Sequence, residues 1–266
     1  MPASPVAPAV CRPPAATEPV ALIWQGRRAG VEYEVRSAGR TRRLYTNGVL
    51  HTQYNPRQAL TGSVWDLLLL PALLQPQRRF ERVLVLGVGG GAVINLLRRH
   101  AWFAAVTGVE LDGLHLQLAR RFFELDAEDV ELVQADARDW LLQYDGEAFD
   151  LIIDDLFMEV DREPARAVSA TPAWLRLLDS HLTRRGLLVM NFPGRRDLRQ
   201  CGFSAAPRLR ARYRSAFELT HPRLENAVGA WLKFSASSRD LRRTLKTLPE
   251  LDPARSRLEY RIRRLR

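Results

Sequence analysis

A cluster of glycines between two predicted elements is the clearest sign of a ligand site in this sequence. The cluster comprises four residues: Gly87, Gly89, Gly90 and Gly91. It directly follows a short apolar run at residues 83–86 and precedes a helical pattern that begins at Ala92. Glycine lets a backbone turn sharply and approach a ligand closely, and the start of a helix offers free N–H groups to an anion. We therefore expect these glycines to bind a nucleotide-type cofactor.

Glu110 is the second candidate, because it ends the next predicted strand, 23 residues after Gly87. An acidic side chain at that place can accept hydrogen bonds from both hydroxyl groups of a ribose. The spacing of Gly87, Gly89 and Ala92 also satisfies the dinucleotide fingerprint. These two features therefore predict a nucleotide-type site without separating NAD from S-adenosylmethionine.

Three more carboxylates follow later strands at the same edge of the expected sheet. Asp136, with Ala137 beside it, comes directly after the third strand, where its carboxylate could bond an adenine amino group. Asp154 and Asp155 end the fourth strand, at the carboxyl edge where open α/β folds bind their ligands. With Asn191 these two acids could hold a divalent metal, but neighbouring strand residues point to opposite faces. We therefore assign no metal ligand.

The order of apolar runs predicts the fold that positions these residues. Five short runs are typical of strands covered on both faces: residues 83–86, 105–109, 130–133, 151–153 and 187–190. Four helical patterns separate them: residues 92–99, 113–123, 137–143 and 173–182. This alternation implies right-handed crossovers and a parallel sheet. The predicted fold class is therefore α/β, a doubly wound Rossmann-like sheet.

The regions that flank the alternating pattern predict other structure. Residues 20–54 contain short β-type runs around Asn47-Gly48, the pair that best supports a type I′ hairpin turn. These runs predict a small antiparallel β unit. Residues 61–74 then show helical spacing. After the last strand of the alternating region we expect a polar helix over residues 205–217.

Composition divides the chain of 266 residues into four parts. We expect a disordered Pro- and Ala-rich leader at residues 1–18, the β unit with its linking helix at residues 19–75, the Rossmann-like domain at residues 76–238 and a basic helical tail at residues 239–266. The net charge is +10, and the tail holds ten basic and four acidic side chains. Two cysteines cannot form a disulfide framework, and no apolar run approaches the ~18 residues that span a membrane. These features favour a cytoplasmic protein.

Taken together, the motifs resemble those of the class I S-adenosylmethionine-dependent methyltransferase superfamily, and in detail its spermidine synthase (polyamine aminopropyltransferase) branch. The resemblance covers about residues 40–235, through five segments: RVLVLGVGGG, VTGVELD, VELVQADARDWL, FDLIIDD and RRGLLVMNF. It implies that the glycines line the methionine part of the cofactor, that Glu110 holds the ribose and that Asp136 holds the adenine. Asp155 would be the catalytic acid at the reacting centre.

The sequence departs from the spermidine synthase pattern where that family contacts its polyamine. Gly90 stands in place of an aspartate that contacts the aminopropyl end of decarboxylated S-adenosylmethionine, and Met158-Glu159 stands in place of a second substrate acid followed by proline. Residues 63–66 replace a tyrosine and an acid. A diamine needs carboxylates to replace the water that it loses, so we favour methyl transfer. The missing acid at position 90 is expected to leave space for the carboxylate of full S-adenosylmethionine.

The sequence therefore predicts an enzyme, a spermidine synthase-like transferase with S-adenosylmethionine, or its decarboxylated form, as cofactor. Asp155 would orient or deprotonate a small nucleophilic acceptor, with amines among the candidates. The other expected partner is a second copy of the chain in a homodimer, and a nucleic acid is a weaker candidate through the basic tail. The alternatives are an aminopropyltransferase of polyamine biosynthesis, an NAD-dependent oxidoreductase and a noncatalytic ligand- or RNA-binding module.

Overall fold

The computed structural model describes residues 20–160 and 163–265, and the expected leader at residues 1–18 lies outside the described residues. The first elements are four strands: β1 (Val20–Arg28), β2 (Val31–Ala38), β3 (Thr41–Thr46) and β4 (Val49–Tyr54). They pair in chain order as an antiparallel sheet, called the β unit below. Asn47 and Gly48 have φ angles of 49° and 80°, as a type I′ turn requires. The expected hairpin is therefore present.

A linking segment joins the β unit to the central domain. The single helix expected at residues 61–74 is observed as α1 (Val64–Leu69) followed by a 3-10 helix at Leu70–Leu74. The change of helix type coincides with Pro71, which has no N–H with which to continue an α-helical ladder. Nearly every side chain of the two helices is buried, so the segment is part of the core.

The central domain alternates strands and helices as the apolar runs predict. Its elements in chain order are β5 (Arg79–Leu86), α2 (Ala92–His100), β6 (Trp102–Glu110), α3 (Gly113–Phe122), β7 (Val130–Gln134), α4 (Ala137–Gln143), β8 (Phe149–Asp154), β9 (Phe157–Val160), β10 (Glu163–Arg166), α5 (Pro172–Ser180), β11 (Leu182–Phe192), α6 (Arg195–Gln200), α7 (Pro207–Arg210), β12 (Ser215–Thr220), β13 (Ala227–Leu232), α8 (Ser238–Lys246) and β14 (Arg261–Arg264).

Eight of these strands form one sheet in the order β14-β12-β13-β11-β8-β5-β6-β7. The five strands from β11 to β7 are parallel, whereas β13, β12 and β14 add to the β11 side in antiparallel pairs. The predicted α/β fold class is therefore confirmed. β9 and β10 form a separate hairpin directly after β8. No helix among the described residues is long and apolar enough to cross a membrane.

Two buried clusters, one on each face of the sheet, hold the helices in place. Val83 and Val85 of β5 belong to one cluster and Leu84 and Leu86 to the other, because successive strand residues point to opposite faces. A third cluster joins the β unit to α3 and contains Leu44, Leu118 and Phe123 among others. The β unit is therefore packed against the domain that carries the glycine loop.

The C-terminal region differs from the sequence prediction in two places. The helix expected over residues 205–217 is reduced to the single turn of α7, because Ser215 begins the strand β12. The prediction of a helical tail is correct for α8 but wrong for the end of the chain, where β14 pairs antiparallel with β12. Pro249 and Pro253 cannot continue a helix, and Ile262 of β14 packs against the core.

Candidate functional site

The carboxyl edge of the parallel strands brings the predicted site residues together. Gly87 follows β5, Glu110 ends β6, Asp136 follows β7 and Asp155 follows β8. The N–H of Asp155 donates to the carbonyl oxygen of Leu86 (2.9 Å), which ties the ends of β5 and β8 to each other. Residues that lie far apart in the sequence therefore share one edge of the sheet, where open α/β folds bind ligands.

The glycine loop adopts backbone conformations that other residues rarely take. The φ angles of Gly87, Gly89 and Gly91 are 82°, 54° and 85°. A Cβ atom at Gly87 would clash with the backbone carbonyl of Asp155, and one at Gly91 would clash with the side chain of Leu125. The loop therefore passes close to the end of β8 and needs glycine for its own geometry. Cofactor binding by these glycines stays a prediction.

Gly90 contacts the β unit. Its N–H donates to Oγ1 of Thr52 (2.6 Å), and a Cβ atom at this position would lie 2.9 Å from atoms of the Thr52 side chain. Thr52 therefore occupies the space that a side chain at position 90 would need, and the expected space for the carboxylate of full S-adenosylmethionine stays a prediction. Thr52 belongs to β4 and lies far from the glycine motif in the sequence, so this contact could not be predicted from the motif.

Glu110 accepts hydrogen bonds from the glycine loop. Its Oε2 accepts from the N–H groups of Val88 (3.0 Å) and Gly89 (2.8 Å), and its Oε1 accepts from the N–H of Asp112 (3.0 Å). An ionised carboxylate offers about four acceptor positions. The three bonds to the protein therefore leave room for one donor from a ligand, such as a ribose hydroxyl.

Asp136 begins α4 as its N-terminal cap. Its Oδ1 accepts from the N–H groups of Arg138 (2.8 Å) and Asp139 (3.0 Å), a common role for aspartate at this position. Its Oδ2 receives no hydrogen bond from the residues that the structure describes, and the side chain is exposed, whereas Ala137 is buried. One oxygen of Asp136 is therefore available to a ligand amino group.

Asp155 presents a carboxyl group that is enclosed by protein yet keeps contact with solvent. Its Oδ1 accepts from Nδ2 of Asn191 in β11 (2.7 Å), and the indole of Trp65 also donates to the carboxyl group. Burial is the main cause that raises the pKa of Asp155 to about 7, and the charge of Asp154 adds to it; the Asn191 bond and the Arg166 charge act in the opposite direction. Near neutral pH this carboxyl group can therefore both give and take a proton.

Asp154 points away from this position, as strand alternation predicts. Its side chain is fully buried, and its Oδ2 accepts from Nη2 of Arg166 (2.7 Å) and Nε1 of Trp174 (2.8 Å). Both donors come from outside β8, one from the hairpin and one from α5. Asp154 is therefore a structural partner of Arg166, and the described residues contain no group of three or more His, Cys, Asp or Glu side chains that could hold a metal ion.

His51 and His115 lie side by side, and His115 is next to Glu110. The ring centroids of His51 and His115 are 5.0 Å apart, and Nδ1 of His115 is 4.0 Å from Oε1 of Glu110. Nε2 of His115 also lies 2.8 Å from Oγ1 of Thr46 in the β unit. Burial lowers the pKa of His51 to about 4, with the neighbouring His115 as a smaller cause. The β unit therefore contributes a neutral imidazole that lies against His115, the histidine next to Glu110.

Two exposed apolar side chains complete the surroundings of the site. Leu111, directly after Glu110, is 69% exposed, and Met158 in the hairpin is 50% exposed. Large apolar side chains at the surface are informative when they lie beside convergent polar groups. Leu111 directly follows the end of β6, and Met158 lies three residues after Asp155 in the chain.

Comparison with known proteins places this edge in a known fold. Residues 83–178 match the protein family described as a methyltransferase domain. Polyamine aminopropyltransferase 2 from Caldanaerobacter subterraneus subsp. tengcongensis is 30% identical over 118 residues, which are 43% of this chain and 39% of that protein. The matched part therefore spans well under half of that relative.

Solved structures extend the similarity to most of the chain. Spermidine synthase from Thermotoga maritima has a TM-score of 0.62 at 17% identity, with 89% of this chain and 84% of that chain covered. A probable spermidine synthase from Corynebacterium glutamicum has a TM-score of 0.69 at 17% identity, with 92% and 91% covered. Human methyltransferase-like protein 13 in complex with SAH has a TM-score of 0.52 at 19% identity, with 71% and 90% covered.

The strand order, the glycine loop and the matched domain define a protein with the class I methyltransferase fold. Its fold is like that of the two spermidine synthase structures, which cover 89% and 92% of the chain, and its sequence is similar to a polyamine aminopropyltransferase over 118 residues. The resemblance seen in the sequence is thereby confirmed at the level of family resemblance and fold.

Proposed function

We propose that this protein is a transferase that uses S-adenosylmethionine to methylate a small nucleophilic acceptor. The observation that carries the proposal is the position of Asp155, whose carboxyl group is held by Asn191 beside the glycine loop. The match of residues 83–178 to a methyltransferase domain supports this class of reaction. The similarity to an aminopropyltransferase supports an acceptor of the small-amine type.

The polar groups at the carboxyl edge fit the proposed cofactor. Glu110 keeps one acceptor position for a ribose hydroxyl, and Oδ2 of Asp136 can accept from the adenine amino group. Leu111 lies between these two acids in the sequence and offers the exposed apolar surface that a flat base requires. The methionine part would lie over the loop at Gly87, near Asp155.

In the proposed reaction, the protein would orient the acceptor and receive its proton. Bound S-adenosylmethionine supplies an electrophilic methyl carbon on a positively charged sulfur. Asp155 would accept a hydrogen bond from the acceptor and direct its lone pair toward that carbon, and alignment of this kind supplies much of the rate. As the acceptor bonds to the methyl carbon, the bond from that carbon to sulfur would break, the remainder of the cofactor would leave as a neutral thioether, and the proton of the acceptor would pass to the Asp155 carboxylate.

Isothermal titration calorimetry with four ligands tests the proposal. We expect S-adenosylmethionine to bind more tightly than decarboxylated S-adenosylmethionine, and NAD not to bind. Methylthioadenosine measures how much of the affinity comes from the ribose and adenine contacts alone. Tight binding of NAD would contradict the proposal and favour an oxidoreductase, and absence of binding by all four would favour a noncatalytic module.

Aminopropyl transfer is the second candidate, because the curated relative is named for that activity. Against it, Gly90 lacks the acid that the spermidine synthase resemblance calls for, and Thr52 leaves no room for a side chain at that position. We predict that putrescine with decarboxylated S-adenosylmethionine gives little or no spermidine, because a diamine would lack the carboxylates that replace its water. Chromatographic detection of spermidine at a rate typical of enzymes, about 1 s⁻¹ or more, would reverse the order of the two candidates.

A further inference from the structure

A chain of side-chain amides leads from Asp155 to a residue outside the site. Nδ2 of Asn191 donates to Oδ1 of Asp155 (2.7 Å). Nδ2 of Asn226, which directly precedes β13, donates to Oδ1 of Asn191 (3.2 Å). Asn191 is only 2% exposed, so these two neighbours rather than bulk water satisfy its amide.

The order of donors in this chain matters because an amide has two different ends. One end of Asn191 can only donate and the other can only accept. While Asn226 donates to the oxygen end, the nitrogen end must face Asp155. The main chain of Asn191 is held as well, since its carbonyl oxygen accepts from Nη1 of Arg166 (2.6 Å). The remaining freedom of Asn191 is therefore the orientation of its amide.

We propose that Asn226 is a positioning residue for Asp155, which acts by fixing the amide of Asn191 with its N–H₂ group toward the carboxylate. This inference rests on the proposed role of Asp155 as the group that receives the proton of the acceptor. Asn226 touches neither Asp155 nor the expected path of the cofactor, and no motif in the sequence points to it. Its effect would pass through Asn191 alone.

The ionisation of Asp155 responds to the direction of this amide. A hydrogen bond from Nδ2 favours the charged carboxylate, whereas an amide oxygen turned toward it would disfavour the charge. The other groups that face the carboxyl group are Asp154 on β8, Arg166 on β10 and the indole of Trp65 on α1. None of these three depends on Asn226, so a change at position 226 isolates the contribution of the amide.

The test is a titration of the Asp155 carboxyl group by carbon-13 NMR in the full chain, with the Asp155 signal assigned through Asp155→Asn. Asn226→Asp keeps the shape but can only accept, so it should turn the Asn191 amide around. We expect the pKa of Asp155 to rise by about one unit, a tenfold change in its ionisation constant. Glu225→Gln is the matched control, because it changes a neighbouring charge without touching the amide chain.

A double-mutant cycle separates this effect from simple charge repulsion. The pKa shift of Asp155 caused by Asn226→Asp is measured twice, once with Asn191 present and once in the variant Asn191→Ala. The second shift should be less than about a third of the first. Equal shifts in both backgrounds, or no shift in either, would overturn the proposal. If Asn191→Ala does not fold, Asn226→Leu replaces it, because it removes the donor without adding charge. It should still raise the pKa of Asp155, and an unchanged pKa would also overturn the proposal.

This titration needs neither cofactor nor acceptor, so it is independent of the proposed reaction. If Asn226→Asp shifts the pKa as expected but Asp155→Asn transfers methyl groups at the natural rate, the positioning role of Asn226 is supported and the proposed function is contradicted. If Asp155→Asn abolishes transfer but Asn226→Asp leaves the pKa of Asp155 unchanged, the proposed function is supported and the positioning role of Asn226 is contradicted. When transfer is measurable, the pH profile of Asn226→Asp should move upward with the pKa.

Discussion

Glu110 has a structural role in the glycine loop and a proposed role in cofactor binding. Its carboxylate fixes the glycine loop through Val88 and Gly89, and it keeps one acceptor position for a ligand. In the proposed function, loop geometry and ribose binding would therefore be coupled in a single side chain. This coupling follows from the close approach of β5 and β6 at their carboxyl ends, which lets an acid from one strand reach the loop after the other.

Replacement of Glu110 by alanine should weaken the binding of S-adenosylmethionine. We expect a loss of about 1.5–3 kcal/mol, because hydrogen bonds to a charged acceptor lie in that range. Calorimetry measures the change, with Glu147→Ala as a control whose carboxylate is exposed and lies before β8, at the opposite edge of the sheet. Equal affinities of Glu110→Ala and the natural chain, both folded, would show that the ribose is held by other groups.

Asp155 should govern turnover rather than cofactor affinity. Burial raises the pKa of Asp155 to about 7, so the carboxyl group is protonated and inactive as a base below that pH and ionised above it. The single-turnover rate should therefore rise tenfold per pH unit up to about pH 7 and then level off. Asp155→Asn should slow transfer by about 10²–10⁴ and abolish this pH dependence.

The matched control for Asp155→Asn is Asp145→Asn, an exposed carboxylate in the turn before β8. It should leave both the rate and the pH profile unchanged. Asp154→Asn is unsuitable as a control, because Asp154 is buried and paired with Arg166. A pH profile that stays the same in Asp155→Asn would assign the titrating group to another residue.

The site residues show what sequence can and cannot establish. Gly87, Glu110, Asp136 and Asp155 were predicted to share one edge because each follows a strand of a parallel sheet, and the structure places them there. Asn191 was expected near Asp155, but the partners from the β unit and the linking helix were not predicted. Thr52 comes from a different sheet, and contacts between distant segments depend on packing that no local pattern records.

The buried carboxylate of Asp154, which forms an ion pair with Arg166, connects three secondary-structure elements. Arg166 ends the hairpin, Asp154 ends β8, and Trp174 of α5 donates to the same carboxylate oxygen. Arg166 also donates to the main-chain carbonyl oxygen of Asn191 in β11, so its two contacts hold the hairpin against the sheet near Asp155. Loss of these contacts would disturb the edge of the sheet that carries the proposed reaction.

Asp154→Asn should therefore lower the free energy of unfolding. Both partners are buried, and a buried pair that loses one charge typically costs about 3–5 kcal/mol. Urea denaturation measures the change, with Glu147→Gln as the control, since it removes an exposed pair with Arg82 that is worth at most about 1 kcal/mol. A variant Asp154→Asn as stable as the natural chain would mean that Arg166 finds another partner.

Elements with a strong period were predicted well, and those defined by long-range pairing were not. All five parallel strands lie where the apolar runs were found, because strands covered on both faces must be apolar throughout. The tail was predicted as helix from leucines at helical spacing. Among its described residues only 239–246 are helical. The end of the chain forms β14, which owes its conformation to pairing with β12, a partner some 40 residues earlier in the chain.

For the molecule as a whole, the positions of the charged side chains say more about their role than the net charge does. The chain carries a net charge of +10, of which +6 lies in the tail at residues 239–266. There α8 presents Arg239, Arg242, Arg243 and Lys246 around a common surface. The opposite side of α8 packs into the core through Leu241 and Leu245. A homodimer and a cytoplasmic location stay predictions, and sedimentation equilibrium would measure the first.

The tail should therefore contribute more to folding through its leucines than through its charges. Leu245 is fully buried in the cluster that contains the linking helices and Leu251, so Leu245→Ala should lower the free energy of unfolding by about 2–5 kcal/mol. The double variant of Arg242→Gln and Arg243→Gln changes exposed side chains on the other face, and it should stay within about 1 kcal/mol of the natural chain. Urea denaturation of both variants distinguishes a tail that completes the core from one that is merely attached. If Leu245→Ala unfolds like the natural chain while loss of the arginines abolishes salt-sensitive binding of RNA in a fluorescence assay, the tail is a binding arm and its place in the fold is secondary.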